Sequence, residues 1–102
     1  MNKKVVYIAG KINGLSNYKE LFKEAEKEFL DKGYIVMNPA ELPEGMPYRK
    51  YLPITLAMLE ASDYIYMLNN WKNSKGATVE HDYAVAQGIS IIYQDGDNNE
   101  NN

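Results

Sequence analysis

The sequence predicts an α/β fold: a small doubly wound, Rossmann-like or flavodoxin-like parallel sheet of four strands with three helices. Two observations predict it. Short apolar runs alternate with segments of helical periodicity in the order β-α-β-α-β-α-β. The runs are apolar throughout, as strands covered on both faces are. Right-handed crossovers between parallel strands then make double winding the default.

Each element has a local reason. Val5-Val6-Tyr7-Ile8-Ala9 is β-branched and aromatic and stops at Gly10, which reads as the first strand. A loop with a glycine at each end follows, Gly10-Lys11-Ile12-Asn13-Gly14. Asn17 then opens the first helix, with Glu20 three residues later as in a capping box. Tyr18, Leu21, Phe22, Ala25, Phe29 and Leu30 make one apolar stripe, and Gly33 stops the helix. Tyr34-Ile35-Val36-Met37 is the second strand, ended by Asn38-Pro39. Residues 40–47 carry Pro43, Gly45 and Pro47 and read as a loop. Tyr48, Tyr51, Leu52, Thr55, Leu56 and Leu59 have helical spacing. The regular helix is expected to begin near Tyr51, which places Pro53 in its first turn and avoids a kink. Tyr64-Ile65-Tyr66-Met67-Leu68 is the third strand, and residues 69–75 form a polar loop with the only tryptophan, Trp71. Residues 76–87 are the third helix, closed by Gly88, and residues 89–93 are the fourth strand. One domain is expected over residues 1–94, and residues 95–102 read as a disordered polar tail.

Composition narrows the chemistry. The 102 residues are 45% apolar and 25% charged, an ordinary globular balance for one domain. There is no cysteine, which excludes disulfides, thiolate zinc sites and a cysteine nucleophile. The one histidine, His81, excludes a multi-histidine metal cluster. No cofactor or metal is expected, because the carboxylates are scattered along the chain. A net charge of −3 argues against an extended nucleic-acid face and against a membrane surface. No apolar run approaches a spanning helix or a signal peptide, so the expected location is the cytoplasm.

Ligands of doubly wound folds sit beyond the carboxyl ends of the strands, where the strand order reverses. That directs attention to loops 10–17, 38–47 and 69–76. In the first loop, glycines let backbone N–H groups approach an anion and Lys11 adds charge; an ordinary strand-to-helix connection has the same look. Ser74, Lys75 and Gly76 feed the third helix, where Ser74 either caps the helix or joins its amides in cradling an anion. Glu80 lies in the first turns of that helix, whose dipole favours the ionised form. It reads either as a surface glutamate or as a nucleophile at a ligand mouth. Tyr7 either aims its hydroxyl at the site or fills the core. Trp71 either stacks on a base, serves as a lid, or packs. His81 points about 100° away from Glu80 and is expected at the surface or an interface, not as a general base. The other eight tyrosines are read mostly as core or interface.

The runs Val6-Tyr7-Ile8-Ala9-Gly10-Lys11-Ile12-Asn13-Gly14, Asn38-Pro39, Ala61-Ser62-Asp63-Tyr64-Ile65 and Ser74-Lys75-Gly76-Ala77-Thr78-Val79-Glu80 resemble the nucleoside 2-deoxyribosyltransferase superfamily. The nearest likeness is to a small domain of unknown function common in phage genomes, related to deoxynucleoside 5′-monophosphate N-glycosidases. The resemblance spans nearly all of the chain before its tail. It implies that Glu80 attacks C1′ of the sugar and that Tyr7 orients it. It implies phosphate contacts from Ser74 and Gly76, and a base and phosphate loop formed by Gly10, Lys11, Ile12, Asn13 and Gly14. Trp71 and Asn38 are candidates for base or lid contact. Relatives carry an aspartate eight residues before Asp63, where this chain has Thr55. A threonine cannot supply that aspartate's acid or its charge. The resemblance also implies a homodimer or larger homo-oligomer, since relatives complete one another's sites.

Two functions follow as expectations. One is an N-glycosidase or deoxyribosyltransferase acting on a nucleoside 5′-monophosphate through Glu80. The other is a non-catalytic nucleotide-binding protein, such as a phage protein that sequesters a nucleotide signal, which Thr55 favours. A tyrosine-rich interaction protein that keeps only the fold is the third and plainest reading.

Overall fold

The computed structural model describes residues 2–96, so all of the expected tail except Asp95 and Gly96 lies outside the described residues. Its elements are β1 (Val5–Ala9), α1 (Tyr18–Asp31), β2 (Ile35–Met37), α2 (Tyr48–Glu60), β3 (Tyr64–Met67), α3 (Lys75–Gln87) and β4 (Ser90–Tyr93). Single 3-10 turns over Pro39–Glu41 and Trp71–Asn73 were not expected from the sequence. The four strands are all parallel in the order β2-β1-β3-β4. This is the doubly wound α/β sheet, and its order reverses between β1 and β3. Tyr7 stands opposite Met37 on one side and Ile65 on the other.

Side-chain alternation along β1 assigns the faces. Val6 and Ile8 pack with Phe22, Ala25 and Phe29 of α1. Tyr7 and Ala9 point the other way, into a core shared with Leu59 of α2 and with Ala77 and Ala84 of α3. The helices thus cover both faces, and the α2–α3 side receives the hydroxyl of Tyr7. Asp63 fastens the start of β3 to β1: its N–H donates to the Val5 carbonyl at 2.8 Å and its Oδ2 accepts from Val5 N at 2.9 Å. Asp63 thus serves the turn from α2 into β3.

The helix N-termini depart from expectation in the start of α2 and the cap of α1, and α3 begins one residue early, at Lys75. Helix α2 begins at Tyr48, three residues before the expected start, and carries Pro53 inside it. Extended Pro47 (φ −67°, ψ 153°) forms the N-cap, and its carbonyl accepts from Lys50 N at 2.9 Å. Pro53 and Arg49 are both exposed, so water can solvate the Arg49 carbonyl that lacks its i+4 donor. Helix α1 starts where expected, but the Asn17 side chain makes no capping bond, so no capping box forms. Its other end follows the expected pattern. Gly33 at φ +90° lets Tyr34 N–H return to the Phe29 carbonyl at 3.0 Å. No helix among the described residues is long and apolar enough to cross a membrane.

Candidate active site

The buried stripe of α3 is Ala77, Glu80 and Ala84, spaced at i, i+3 and i+7. Two alanines let the helix approach the sheet closely, and the third member of the stripe is a carboxylate. Glu80 is therefore 8% exposed and reaches the sheet at Tyr7, which is fully buried. The Tyr7 hydroxyl donates to Glu80 Oε2 at 2.8 Å across 73 residues of chain. Thr55 of α2, 8% exposed, completes the cluster. Its hydroxyl donates to the Leu52 carbonyl at 3.3 Å and interacts with both Glu80 and Tyr7.

Electrostatics here run against the expectation from the helix dipole. Burial pushes Glu80 up from 4.5 to about 7, while hydrogen bonds from Tyr7 and Thr55 pull it part of the way back. The dipole contributes under about 1 kcal/mol and fades beyond the first turn. Glu80 sits in the second turn, where desolvation outweighs it. Tyr7 is pushed well above the ordinary phenol range by burial and then by the charge of Glu80. Tyr48 rises for the same two reasons. Among the described residues no ammonium lies within ion-pair distance of Glu80.

The Tyr7–Glu80 pair lines an open cavity of about 1050 Å³. Its walls are residues 10–16 after β1, residues 42–46, the first turns of α2, and residues 73–77 at the start of α3. Gly10, Lys11, Ile12, Asn13, Gly14, Ser74 and Gly76 all line it, gathered with Glu80 and Tyr7 into one cleft. The loops are tied together. Lys11 N donates to Asn70 Oδ1 at 2.9 Å, and Lys11 Nζ donates to the Asn73 carbonyl at 3.0 Å. A Cβ at Gly10 would lie 2.7 Å from Leu68 Cδ1, 3.0 Å from Leu68 Cβ and 3.1 Å from Asn70 Oδ1, so any added side chain would crowd this approach. A Cβ at Gly76 would lie 3.2 Å from the Tyr48 ring. Ser74 Oγ accepts from Ala77 N at 3.1 Å, the capping reading, and keeps its own proton for donation. The first N–H groups of α3 have no intrahelical partner, so they suit an anion.

Two expected contacts are not in this cleft. Trp71 lies outside the cavity lining and stacks on His81, with ring centroids 4.4 Å apart and planes 19° apart. The 3-10 turn of residues 71–73 carries the indole toward β4 instead of over the pocket. His81 is half-buried in that stack, with Nε2 3.1 Å from the Tyr93 hydroxyl, in line with a packing role. Asn38 also lies outside the lining. Its Oδ1 accepts from Ala40 N at 2.9 Å and its Nδ2 donates to Glu26 at 3.0 Å, so it caps the 3-10 turn.

Sequence reasoning passed over other wall residues. Tyr18, Tyr48 and Tyr51, read as core or interface, face the cavity. Tyr51 holds the loop before α2: its hydroxyl donates to the Pro43 carbonyl and accepts from Met46 N at 3.1 Å. Three tyrosines near two loop ends, in a chain with nine, were the available signal. No group of three or more potential metal ligands exists among the described residues.

Comparison with known proteins agrees with this architecture. The structure superposes on a 2-desoxiribosyltransferase from Leishmania mexicana with a TM-score of 0.71 and 19% sequence identity. The match covers 88% of this chain and 63% of that one, so the chain spans less than two thirds of the neighbour's length. The nucleoside 2-deoxyribosyltransferase-like fold is thereby shown. A search of curated protein sequences gives no match. Residues 4–93 match the model of the family described as a domain of unknown function, DUF4406, and the chain belongs to that family.

Proposed function

We propose that the protein breaks, or transfers across, the N-glycosidic bond of a nucleoside 5′-monophosphate, with Glu80 as the nucleophile. The observation that carries this reading is a buried carboxylate, oriented by a buried phenol at 2.8 Å, in the wall of a large open cleft. In the proposed reaction the Glu80 carboxylate attacks C1′ as the base departs, through an oxocarbenium-like transition state. Tyr7 fixes the attacking carboxylate, and its donated proton lowers the nucleophile's cost of burial. Ser74, Lys11 and the first amides of α3 hold the 5′-phosphate, and residues 10–14 enclose the base. Water, or a second base, then takes the sugar from Glu80. Likeness to a deoxyribosyltransferase in fold supports the reaction class. Self-association to a homo-oligomer belongs to the same reading and is checked by molar mass in solution.

The test is incubation with a panel of ribo- and deoxyribonucleoside 5′-monophosphates, with free base followed by chromatography. Base release that Glu80→Gln abolishes supports the reading. Thr55 beside Glu80, in place of a second carboxylate, favours one other reading, nucleotide capture without cleavage. Thermal stabilisation by a nucleotide with no free base would establish that one instead.

A further inference from the structure

The acid–base inventory of the cleft goes further than the reaction class. Breaking the bond to an ordinary purine or pyrimidine is eased by an acid that protonates the departing base. Among the described residues lining the cavity, the carboxylates are Glu44 and Glu80. Glu44 is exposed and paired with Lys19. Glu80 is the nucleophile of the proposed reaction and is not free to act as the acid. The groups against it are hydroxyls: that of Tyr7 donates to Glu80 itself, that of Thr55 is shared between Glu80 and the Leu52 carbonyl, and the Tyr48 phenol is raised by burial and by the charge of Glu80, which makes it a weak acid. The exposed ammonium of Lys11 is held at the rim by the Asn73 carbonyl. The interior thus offers a nucleophile with no second carboxylic acid beside it.

The same inventory favours one charge in the ligand. Glu80 is buried without a cationic partner, which leaves an uncompensated charge when it ionises. Tyr18, Tyr48 and Tyr51 add aromatic walls, which attract cations through the ring faces. Lys11 and Lys75 also line the cavity, Lys11 tied to the Asn73 carbonyl and Lys75 next to Ser74, in the loops assigned above to the 5′-phosphate.

We propose, building on the N-glycosidase reading above, that the substrate class is a cationic N-glycoside: a nucleotide whose base is quaternised, such as a pyridinium or an N7-alkylated purine. Its positive base compensates the Glu80 carboxylate on binding. Its departure needs no proton. As Glu80 Oε forms a bond to C1′, the C1′–N bond breaks and its electron pair neutralises the ring cation. A neutral base leaves. Water then attacks C1′, the ester bond to Glu80 breaks, and one proton is released to solvent. The sum is cationic nucleotide plus water giving neutral base, sugar phosphate and a proton.

Two pairs of measurements test it. Base release is measured for nicotinamide mononucleotide and N7-methylguanosine 5′-monophosphate against guanosine and adenosine 5′-monophosphates. The expected kcat/KM advantage of the cationic pair is on the order of 100-fold or more, the size of an absent general acid. Because quaternised glycosides are also weaker bonds in water, binding is measured separately by calorimetry. Wild type should prefer N7-methylguanosine monophosphate over guanosine monophosphate by roughly tenfold, and Glu80→Gln should remove the preference. Equal cleavage or equal wild-type binding of the methylated and unmethylated nucleotides overturns this inference and leaves the N-glycosidase reading standing. No base released from any of them, nor from the panel of ribo- and deoxyribonucleoside 5′-monophosphates above, overturns that reading and the inference with it.

Discussion

Glu80→Gln should make the protein more stable, and by an amount that depends on pH. The side chain is 8% exposed, and burial raises its folded-state value from 4.5 to about 7. In the unfolded chain the carboxyl loses its proton near 4.5; in the folded chain it keeps it until about 7. Between those values the folded state binds more protons, so stability falls as pH rises through the window and stays reduced above it. The difference of about 2.5 units corresponds to roughly 3 kcal/mol. Glutamine has nearly the same shape, accepts the Tyr7 hydrogen bond through its amide oxygen and does not titrate. Urea unfolding of both proteins from pH 4 to pH 8 isolates the effect, because every other titrating group cancels in the difference. The advantage of the variant should grow by about 3 kcal/mol across that range, a Tm gain of roughly 10–20 °C for a domain of this size. A difference that stays flat with pH would refute the account of Glu80 as a buried, uncompensated carboxylate.

Three further outcomes are expected. Gly10→Ala should cost about 1–3 kcal/mol, since its Cβ meets Leu68 Cδ1 at 2.7 Å, and denaturant midpoints read this directly. Ser74→Ala should cost about 1 kcal/mol by removing the cap on Ala77 N, with unfolding by urea as the check. Thr55→Val removes one of the two hydroxyls that pull Glu80 back down, so the carboxyl should titrate at higher pH than in the parent. Carbon NMR of the labelled glutamate carboxyl follows that midpoint, and an unchanged midpoint would discard Thr55 as a partner.

The sheet and its winding were legible because strand runs such as Val5–Ala9 are apolar throughout and α1 carries a stripe whose Phe22, Ala25 and Phe29 are buried, with Leu30 left exposed at its end. The Glu80–Tyr7 pair came from likeness to a known superfamily, whereas periodicity alone left Glu80 as an ordinary surface residue. What periodicity lacks is the face of β1 that Tyr7 occupies, which the pairing with β2 and β3 fixes. Pro53 was misplaced because an exposed helix face tolerates proline when water replaces the lost donor. Trp71 was left open between base contact and packing because its partner, His81, lies ten residues away and meets it only through the turn of residues 71–73. Asn38-Pro39, read as a strand end, also begins a capped 3-10 turn, and the residue pair was itself the signal.

Every strand pairing in the described sheet is parallel and is joined by a helical crossover, so no hairpin is available as a local nucleus. Closure of such a sheet depends on contacts between distant stretches of chain, which makes assembly slow for a molecule this small. The phenol is on the first strand and its carboxylate on the last helix. Partly assembled forms therefore carry the two halves of the pair without their union, and any chemistry of the cleft switches on only with the complete molecule.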